Sequence, residues 1–255
     1  MDVLASRLRD LHHRPEPLVL PNAWDAASAA RFASLGAQAI ATTSGGVARS
    51  LGFDDGQQTP VEEMLAAVAR IAAAVELPVT ADMERGYGLE PAELAERLLA
   101  TGAVGLNYED TAHDGSGGVV DAEPQAERIA ALADAGLVVN ARIDVYARRL
   151  GEPQTRLEEA LRRGALYRDA GAASLFPILL DDEAELAAFV ARAGAPVNGL
   201  LHAGGLSLAQ LRTAGVARIS VGSGLASAAI DHVAAIAGAL LAGDDRPLRG
   251  ADGEP

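Results

Sequence analysis

The chain contains 255 residues, 49% of them hydrophobic, and its formal net charge is −14. Because nucleic-acid backbones and anionic membranes bind basic surfaces, this charge argues against both as partners. Neither cysteine nor lysine occurs, which excludes disulfides, thiolate chemistry and lysine Schiff bases. The chain shows no basic segment followed by an apolar core and no uncharged run as long as a bilayer span, so we expect a soluble cytoplasmic protein.

Short apolar runs alternate with alanine-rich helical stretches from residue 18 onward, after an amphipathic helix and a proline-rich entry in residues 1–17. Eight runs are candidate strands, at 18–20, 39–42, 79–81, 104–107, 138–141, 174–176, 198–201 and 218–221. Strands separated by single helices require right-handed parallel crossovers, so we predict a single (β/α)8 barrel domain of TIM type over residues 1–255. A doubly wound sheet is the alternative.

A glycine stands between a helical stretch and the following strand at four places, Gly36, Gly102, Gly171 and Gly215. Glycine tolerates the left-handed backbone conformation that often ends a helix. The repeat therefore predicts four helix ends of the same kind and supports the alternation of helices and strands.

The last helical stretch, residues 225–241, is apolar nearly all round, with Asp231 and His232 as its titratable residues. A helix that is apolar on every side is buried on every side, whereas a helix outside a barrel has one exposed face. We therefore predict a homodimer or homotetramer in which this helix packs against a neighbouring subunit. Residues 244–255, rich in Asp, Gly and Pro, are predicted to form a flexible tail.

Two acids, Asp82 and Glu84, end the third candidate strand, and Glu109 ends the fourth. Side chains two residues apart on a strand share a face, where two carboxylates repel each other unless a cation, a proton or a donor lies between them. The active sites of such barrels lie at the carboxyl ends of the strands. The three acids, with no histidine at ligand spacing, predict an oxygen-only site for Mg²⁺ or Mn²⁺.

Arg142 follows the fifth strand and is predicted to grip a substrate carboxylate with two hydrogen bonds. Residues 44–46, a Ser-Gly-Gly loop, offer backbone N–H groups to the same anion. In the alternative interpretation Asp110 and Asp144 cap helices, and Arg142 only balances charge at the barrel rim.

Residues 111–121, small and glycine-rich, predict a mobile lid or, alternatively, a surface loop without function. If the lid closes, His113 is its best general acid or base. The glycines near His202 and in residues 222–224 predict either a phosphate cradle or tight turns. We expect His12 and His13 to be exposed to solvent.

Six motifs together resemble the isocitrate lyase/phosphoenolpyruvate mutase superfamily, and within it the carboxyvinyl-carboxyphosphonate phosphorylmutase-like proteins. They occupy residues 21–26, 42–46, 51–56, 81–88, 105–110 and 140–144. The resemblance implies a (β/α)8 barrel whose last helix is exchanged between subunits. It also implies Mg²⁺ held by Asp82, Glu84 and Glu109, with Asp82 as the direct ligand.

The resemblance further implies which residues bind the substrate. Ser44, Gly45, Gly46 and Arg142 hold its carboxylate, Asp55 faces its oxo group, and Trp24 lines the pocket. Members of the superfamily break or form a C–C or P–C bond beside a 2-oxo acid through a pyruvate-like enolate, which the metal and the arginine stabilise.

The chain departs from the superfamily at one loop, because the isocitrate and methylisocitrate lyases carry a Lys-Lys-Cys-Gly-His sequence and this chain has neither Lys nor Cys. The segment after Glu109 offers His113, Asp114 and Ser116 instead. We predict a Mg²⁺-dependent lyase that cleaves or decarboxylates a small 2-oxo or 2-hydroxy carboxylate. The alternatives are a 2-oxo acid binding protein without turnover and a phosphosugar-type barrel enzyme.

Overall fold

A computed structural model describes residues 2–249. The strand segments are β1 (Leu18–Leu20), β2 (Asn22–Ala23), β3 (Ile40–Thr42), β4 (Val79–Asp82), β5 (Gly105–Glu109), β6 (Val138–Ile143), β7 (Ser174–Pro177), β8 (Asn198–Leu200) and β9 (Arg218–Ser220). The helices are α1 (Asp2–Leu11), α2 (Ala26–Ser34), α3 (Ser44–Leu51), α4 (Val61–Ala73), α5 (Pro91–Ala100), α6 (Ala122–Asp134), α7 (Arg156–Asp169), α8 (Glu183–Ala193), α9 (Leu208–Thr213), α10 (Gly224–Leu241) and α11 (Arg246–Arg249).

The strands pair in parallel and follow one another round a (β/α)8 barrel, as predicted. The first strand continues past its predicted bounds of 18–20, and Pro21, which has no N–H group to donate, divides it into β1 and β2. Since β1 pairs with β9 while β2 pairs with β3, this divided strand joins the sheet β1-β9-β8 to the sheet β2-β3-β4-β5-β6-β7. A parallel bridge between Leu175 and Val197 connects β7 with β8 on the other side.

The glycine repeat marks helix ends as predicted. Gly36, Gly102, Gly171 and Gly215 have φ angles of 91°, 92°, 94° and 82°. All eight predicted strands are present within a few residues of their predicted bounds. The local signals for helix ends and buried strands therefore specified the order of elements correctly.

The floor of the barrel is closed by α1, whose Leu8 and Leu11 pack against the first residues of several strands. His12 lies directly after this helix and is only 2% exposed, whereas His13 is exposed. The prediction that His12 is exposed is therefore wrong, because it lies four residues after Leu8 and shares its buried face. Burial, reinforced by the charge of Arg218, lowers the pKa of His12 to about 3.

The long helix α10 leaves most of its surface outside the barrel. Ile230, Val233 and Leu241 are 55%, 63% and 91% exposed, and Ala226 is buried. By length and composition alone this helix would be able to cross a bilayer, although it contains Asp231. The short helix α11 lies within the predicted flexible tail, and the end of that tail, residues 250–255, lies outside the described residues.

Candidate active site

A cavity of about 230 Å³ lies at the carboxyl ends of the strands. It brings together four of the predicted site residues, Ser44, Asp55, Asp82 and Arg142. Asn22, Thr43, Asn107, Phe176, Ile178, Leu200, Ser220, Gly222 and Ser223 complete its lining. A second cavity is larger, at about 630 Å³. Of the predicted site residues, His113 alone is in the lining of this larger cavity. We take the smaller cavity as the substrate site because it is where the strand-end side chains converge.

Asp82 is the last residue of β4 and is held in a fixed orientation. Its Oδ2 accepts hydrogen bonds from the backbone N–H and the hydroxyl of Ser44, at 3.1 and 2.9 Å. Its Oδ1 has a longer contact of 3.4 Å with the side-chain nitrogen of Asn107. Oδ1 therefore keeps acceptor capacity toward the cavity.

The Ser-Gly-Gly segment 44–46 is the first turn of α3 and not a loop. Thr43 is the N-cap, and its side chain accepts a hydrogen bond from this turn. The N–H groups and the dipole of a helix N-terminus favour an anion, so the contact with a substrate carboxylate stays a prediction, for a helix end instead of a loop. A Cβ atom on Gly45 would lie 2.7 Å from Asp55 Oδ2 and 2.9 Å from Ser223 Oγ, so glycine is needed here for Asp55 to approach α3.

Glu84 is buried just beyond β4 in a left-handed backbone conformation, with φ 47°. Its Oε1 accepts the backbone N–H of Gln57 at 3.0 Å and the hydroxyl of Tyr87 at 2.7 Å. Burial raises the pKa of Glu84 to about 7, helped by the charges of Glu109 and Asp82 and opposed by the two hydrogen bonds.

Glu109, the last residue of β5, contacts His113 and Arg142. His113 Nε2 lies 2.6 Å from Oε1, and Arg142 Nη1 lies 2.6 Å from Oε2. Oε2 nevertheless accepts no hydrogen bond, because Nη1 does not point along a hydrogen-bonding direction. Burial raises the pKa of Glu109, although Arg142 and His113 act in the opposite direction.

The expectation of an acid cluster without histidine is wrong. Glu84, Glu109 and His113 each offer one ligand atom, and these atoms lie within 4.8 Å of one another. His113 reaches the acids because its own left-handed backbone, with φ 51°, turns the loop back over β5. Two buried acids with raised pKa values and an oxygen without a hydrogen bond fit a divalent cation. Asp82 lies outside this group of three and faces the substrate cavity.

Arg142 forms a bidentate pair with Asp144, with Nε and Nη2 each 2.8 Å from a carboxylate oxygen. Asp144 is fully buried and also accepts a hydrogen bond from the hydroxyl of Thr111. Its backbone N–H donates to Asp110, which pairs with Arg163 at 3.0 Å. The sequence interpretation did not recognise Asp144 as a site residue, although its position two residues after Arg142 was the available signal.

The helix-cap alternative for these two acids is wrong. The N-cap residues of α6 and α7 are Asp121 and Thr155. Asp110 and Asp144 instead hold arginine side chains behind the rim.

Trp24 does not line the cavity, contrary to the prediction. Its half-buried ring packs edge-on against Phe32, with 6.3 Å between ring centroids. The backbone after β2 turns the side chain toward α2, which sequence spacing alone does not reveal.

The glycine-rich segments after β8 and β9 differ in position. His202 pairs with Asp181 at 2.9 Å away from the cavity, whereas Gly222 and Ser223 line it. The segment after β5 folds as a short excursion, in which Thr111 and Val119 form an antiparallel bridge. Its role as a lid remains a prediction.

The model of the phosphoenolpyruvate phosphomutase family matches residues 8–241. The chain belongs to the isocitrate lyase/phosphoenolpyruvate mutase superfamily. An uncharacterised relative in this superfamily, from Mycobacterium tuberculosis, is 36% identical over 241 residues, covering 93% of this chain and 90% of that protein. The 2-methylisocitrate lyase of Bacillus subtilis is 28% identical and is matched over 76% of this chain and 66% of its own length.

The fold is shared with solved structures of the superfamily. A Burkholderia cenocepacia protein provisionally described as a phosphonomutase has a TM-score of 0.86 and 38% identity, covering 92% of this chain and 98% of that chain. Superfamily members include lyases named for small carboxylates, namely methylisocitrate, dimethylmalate and oxaloacetate, and also mutases and hydrolases.

Proposed function

We propose that this protein is a divalent-metal-dependent lyase that cleaves or decarboxylates a small 2-oxo or 2-hydroxy carboxylate. The observation that carries the proposal is the small cavity at the strand ends, which gathers an arginine, a helix N-terminus and acids round one point. A cavity of about 230 Å³ suits a ligand the size of oxaloacetate better than a sugar phosphate.

The substrate carboxylate is proposed to bind between Arg142 and the first turn of α3. Asp144 accepts from Nε and Nη2, and Glu109 Oε2 lies 2.6 Å from Nη1 without accepting a hydrogen bond, so the N–H groups of Nη1 and the second N–H of Nη2 are proposed to bind the substrate. Asp55 is proposed to face the oxo group, since it lies beside Gly45 in the same cavity.

Asp82, Glu84 and Glu109 are proposed to hold the cation, Mg²⁺ or Mn²⁺, directly or through its waters. When bound, the cation would stabilise the negative charge that develops on the substrate oxygen next to the bond being broken. The role of His113 as general acid or base is a further proposal, supported by its 2.6 Å contact with Glu109.

The relatives support a lyase over a phosphosugar enzyme. Several are named 2-methylisocitrate lyase, 2,3-dimethylmalate lyase and oxaloacetate decarboxylase. A structural neighbour, oxaloacetate acetylhydrolase, was solved with its product oxalate, at 25% identity and a TM-score of 0.82. Small di- or tricarboxylates are the substrate class that these names share.

A homo-oligomer is proposed as the working form, dimeric or tetrameric, with α10 packed against or exchanged with a neighbouring subunit. The exposed apolar side chains of Ile230, Val233 and Leu241 support it. Val233→Glu is expected to reduce the sedimenting mass in ultracentrifugation. The control is Leu35→Glu, the same kind of change at a leucine that is 70% exposed at the end of α2. This variant should leave the sedimenting mass unchanged.

The function is tested by pyruvate release from oxaloacetate, 2-methylisocitrate and 2,3-dimethylmalate, with added Mg²⁺ or Mn²⁺ and after chelation. Metal-dependent release from any of them, above the rate that the same metal gives without protein, supports the proposal. Thermal stabilisation by these acids without release would instead indicate a binding protein. Stabilisation by inorganic phosphate alone, indifferent to metal, would indicate the phosphosugar alternative.

A further inference from the structure

The backbone is strained where the two buried glutamates meet. Of the six non-glycine residues with positive φ in the described chain, four surround this point: Gln57 (61°), Glu84 (47°), Tyr87 (54°) and His113 (51°). Such conformations persist only where surrounding contacts enforce them, and they are concentrated at functional sites. Gln57 and Tyr87 donate to Glu84, and His113 contacts Glu109, so three of the strained residues hold or contact the acids and the fourth is one of them.

The hydrogen bonds of these acids leave specific oxygen atoms free. Oε1 of Glu84 already accepts two hydrogen bonds, so its Oε2, which lies 3.7 Å from His113 Nε2, has the remaining capacity. Oε2 of Glu109 is buried and lies 2.6 Å from Arg142 Nη1, but it accepts no hydrogen bond. An ion-pair contact without a hydrogen bond offsets the cost of burial only in part, so a divalent cation would stabilise this carboxylate further.

We infer that His113 is a direct ligand of the divalent cation, and that it adds one imidazole nitrogen, beside Glu84 and Glu109, to the carboxylates proposed above. This inference rests on the proposed metal dependence and goes beyond it by adding a nitrogen ligand. Their ligand atoms already lie within 4.8 Å of one another, and small side-chain rotations bring such atoms to the spacing of ligands round one ion.

A nitrogen ligand changes which cation the site prefers. Carboxylates and water suit Mg²⁺, whereas imidazole favours transition-series cations such as Mn²⁺ and, more strongly, Co²⁺. The site should therefore bind Mn²⁺ and Co²⁺ more tightly than Mg²⁺, and His113 should cause most of that preference. Coordination through Nε2 would also exclude His113 from proton transfer, so one experiment decides between its two proposed roles.

The test uses the full chain loaded with Mn²⁺, with pulsed electron paramagnetic resonance to detect the modulation from a coordinated imidazole nitrogen. Binding of Mn²⁺, Co²⁺ and Mg²⁺ is measured in parallel by calorimetry. His113→Ala is compared with His202→Ala, a matched control in which the histidine also pairs with a carboxylate, Asp181, but away from the site. Turnover is measured separately and does not enter this test.

We expect nitrogen modulation in the wild type and in His202→Ala, and its loss in His113→Ala. His113→Ala should also weaken Mn²⁺ and Co²⁺ binding at least about tenfold while changing Mg²⁺ binding little. Mn²⁺ binding without nitrogen modulation in the wild type would overturn the inference and leave the proposed function intact. Failure of the wild type to bind any of the three cations would overturn both.

Discussion

The two ends of the barrel both contain buried charge, but they contain different kinds. The rim gathers Asp82, Glu84 and Glu109, and in residues 2–249 the arginine that forms an ion pair with this group is Arg142, with Glu109. The floor instead holds a single buried arginine, Arg218, with no carboxylate in contact. Its Nη2 donates to Asn107 at 3.2 Å, its Nε has no partner, and burial lowers its pKa to about 9.

This difference indicates which end serves stability and which serves binding. Excess acid at the rim is unfavourable until a cation or a substrate binds, so the rim is arranged for a ligand. The floor is closed by α1 and separated from solvent by Leu8, so its polar groups act only on the folded state. Substitutions at the floor should change stability, and substitutions at the rim should change binding and turnover.

The largest expected effect is the acid sensitivity of His12. Its pKa is about 6.5 in the unfolded chain and about 3 in the folded protein, so between these values only the unfolded state binds the proton. Stability is therefore complete above pH 6.5 and falls as the pH decreases, by about 4 kcal/mol at pH 3. Urea unfolding of wild type and His12→Leu at pH 7 and pH 4 checks this. The variant should lose less stability than the wild type, and equal losses would show that His12 is not the cause.

At the rim, Asp82→Asn should reduce turnover about 1,000-fold, equivalent to about 4 kcal/mol, because it removes a charge that the cation and the substrate complex require. Its melting temperature should stay the same or rise, since repulsion with the other buried acids decreases. Asp181→Asn, at an acid paired with His202 outside the cavity, is the control for both measurements. A large fall in melting temperature would mean that Asp82 stabilises the fold. It would contradict the expectation that substitutions at the rim change binding and turnover but not stability.

The amount of structure that the sequence predicted differs between fold and site. Strand order and helix ends depend on local apolar runs and on residues such as Gly36 and Gly171, and both were predicted correctly. Spacing places His12 on the face of Leu8, but His12 was missed because the burial of that face depends on how α1 docks against distant strands. His113 and Asp144 were missed as partners of the acid cluster and of Arg142, because loop backbone angles and side-chain rotamers bring them there. The spacing of two residues between Arg142 and Asp144 is compatible with their pairing, but spacing does not encode the backbone angles and rotamers that form these contacts.

At the floor, Arg218→Met should raise the free energy of unfolding by about 1 to 3 kcal/mol, because a buried and mostly unpaired cation is replaced by an apolar side chain of similar length. Asn107 keeps a hydrogen bond from Asn140 at 2.8 Å. Chemical denaturation gives the stability, and calorimetry gives cation affinity. Weaker cation binding in this variant would show that Arg218 acts on Asp82 through Asn107. The floor would then contribute to binding as well as to stability.

The smallest expected effect concerns Asp144, which lies behind the rim. Asp144→Asn keeps the shape but loses one of the two hydrogen bonds that orient Arg142, so KM should rise about tenfold while kcat changes less than about twofold. Asp182→Asn, at the N-cap of α8, is a control of the same chemical type. An equal fall in kcat would indicate that Arg142 acts in the transition state and not only in binding.

The divided strand at residues 18–23 has a consequence for how the chain folds. The strands of the sheet β2-β3-β4-β5-β6-β7 pair with their neighbours in sequence, but β1 pairs Leu18 with Arg218, at the far end of the chain. Pairings across so long a segment form slowly, and during synthesis β9 leaves the ribosome late. We expect an open sheet that already carries the acids of the rim to form first. The barrel closes only when Arg218 arrives, so ribosome-bound chains ending before β9 should remain sensitive to protease.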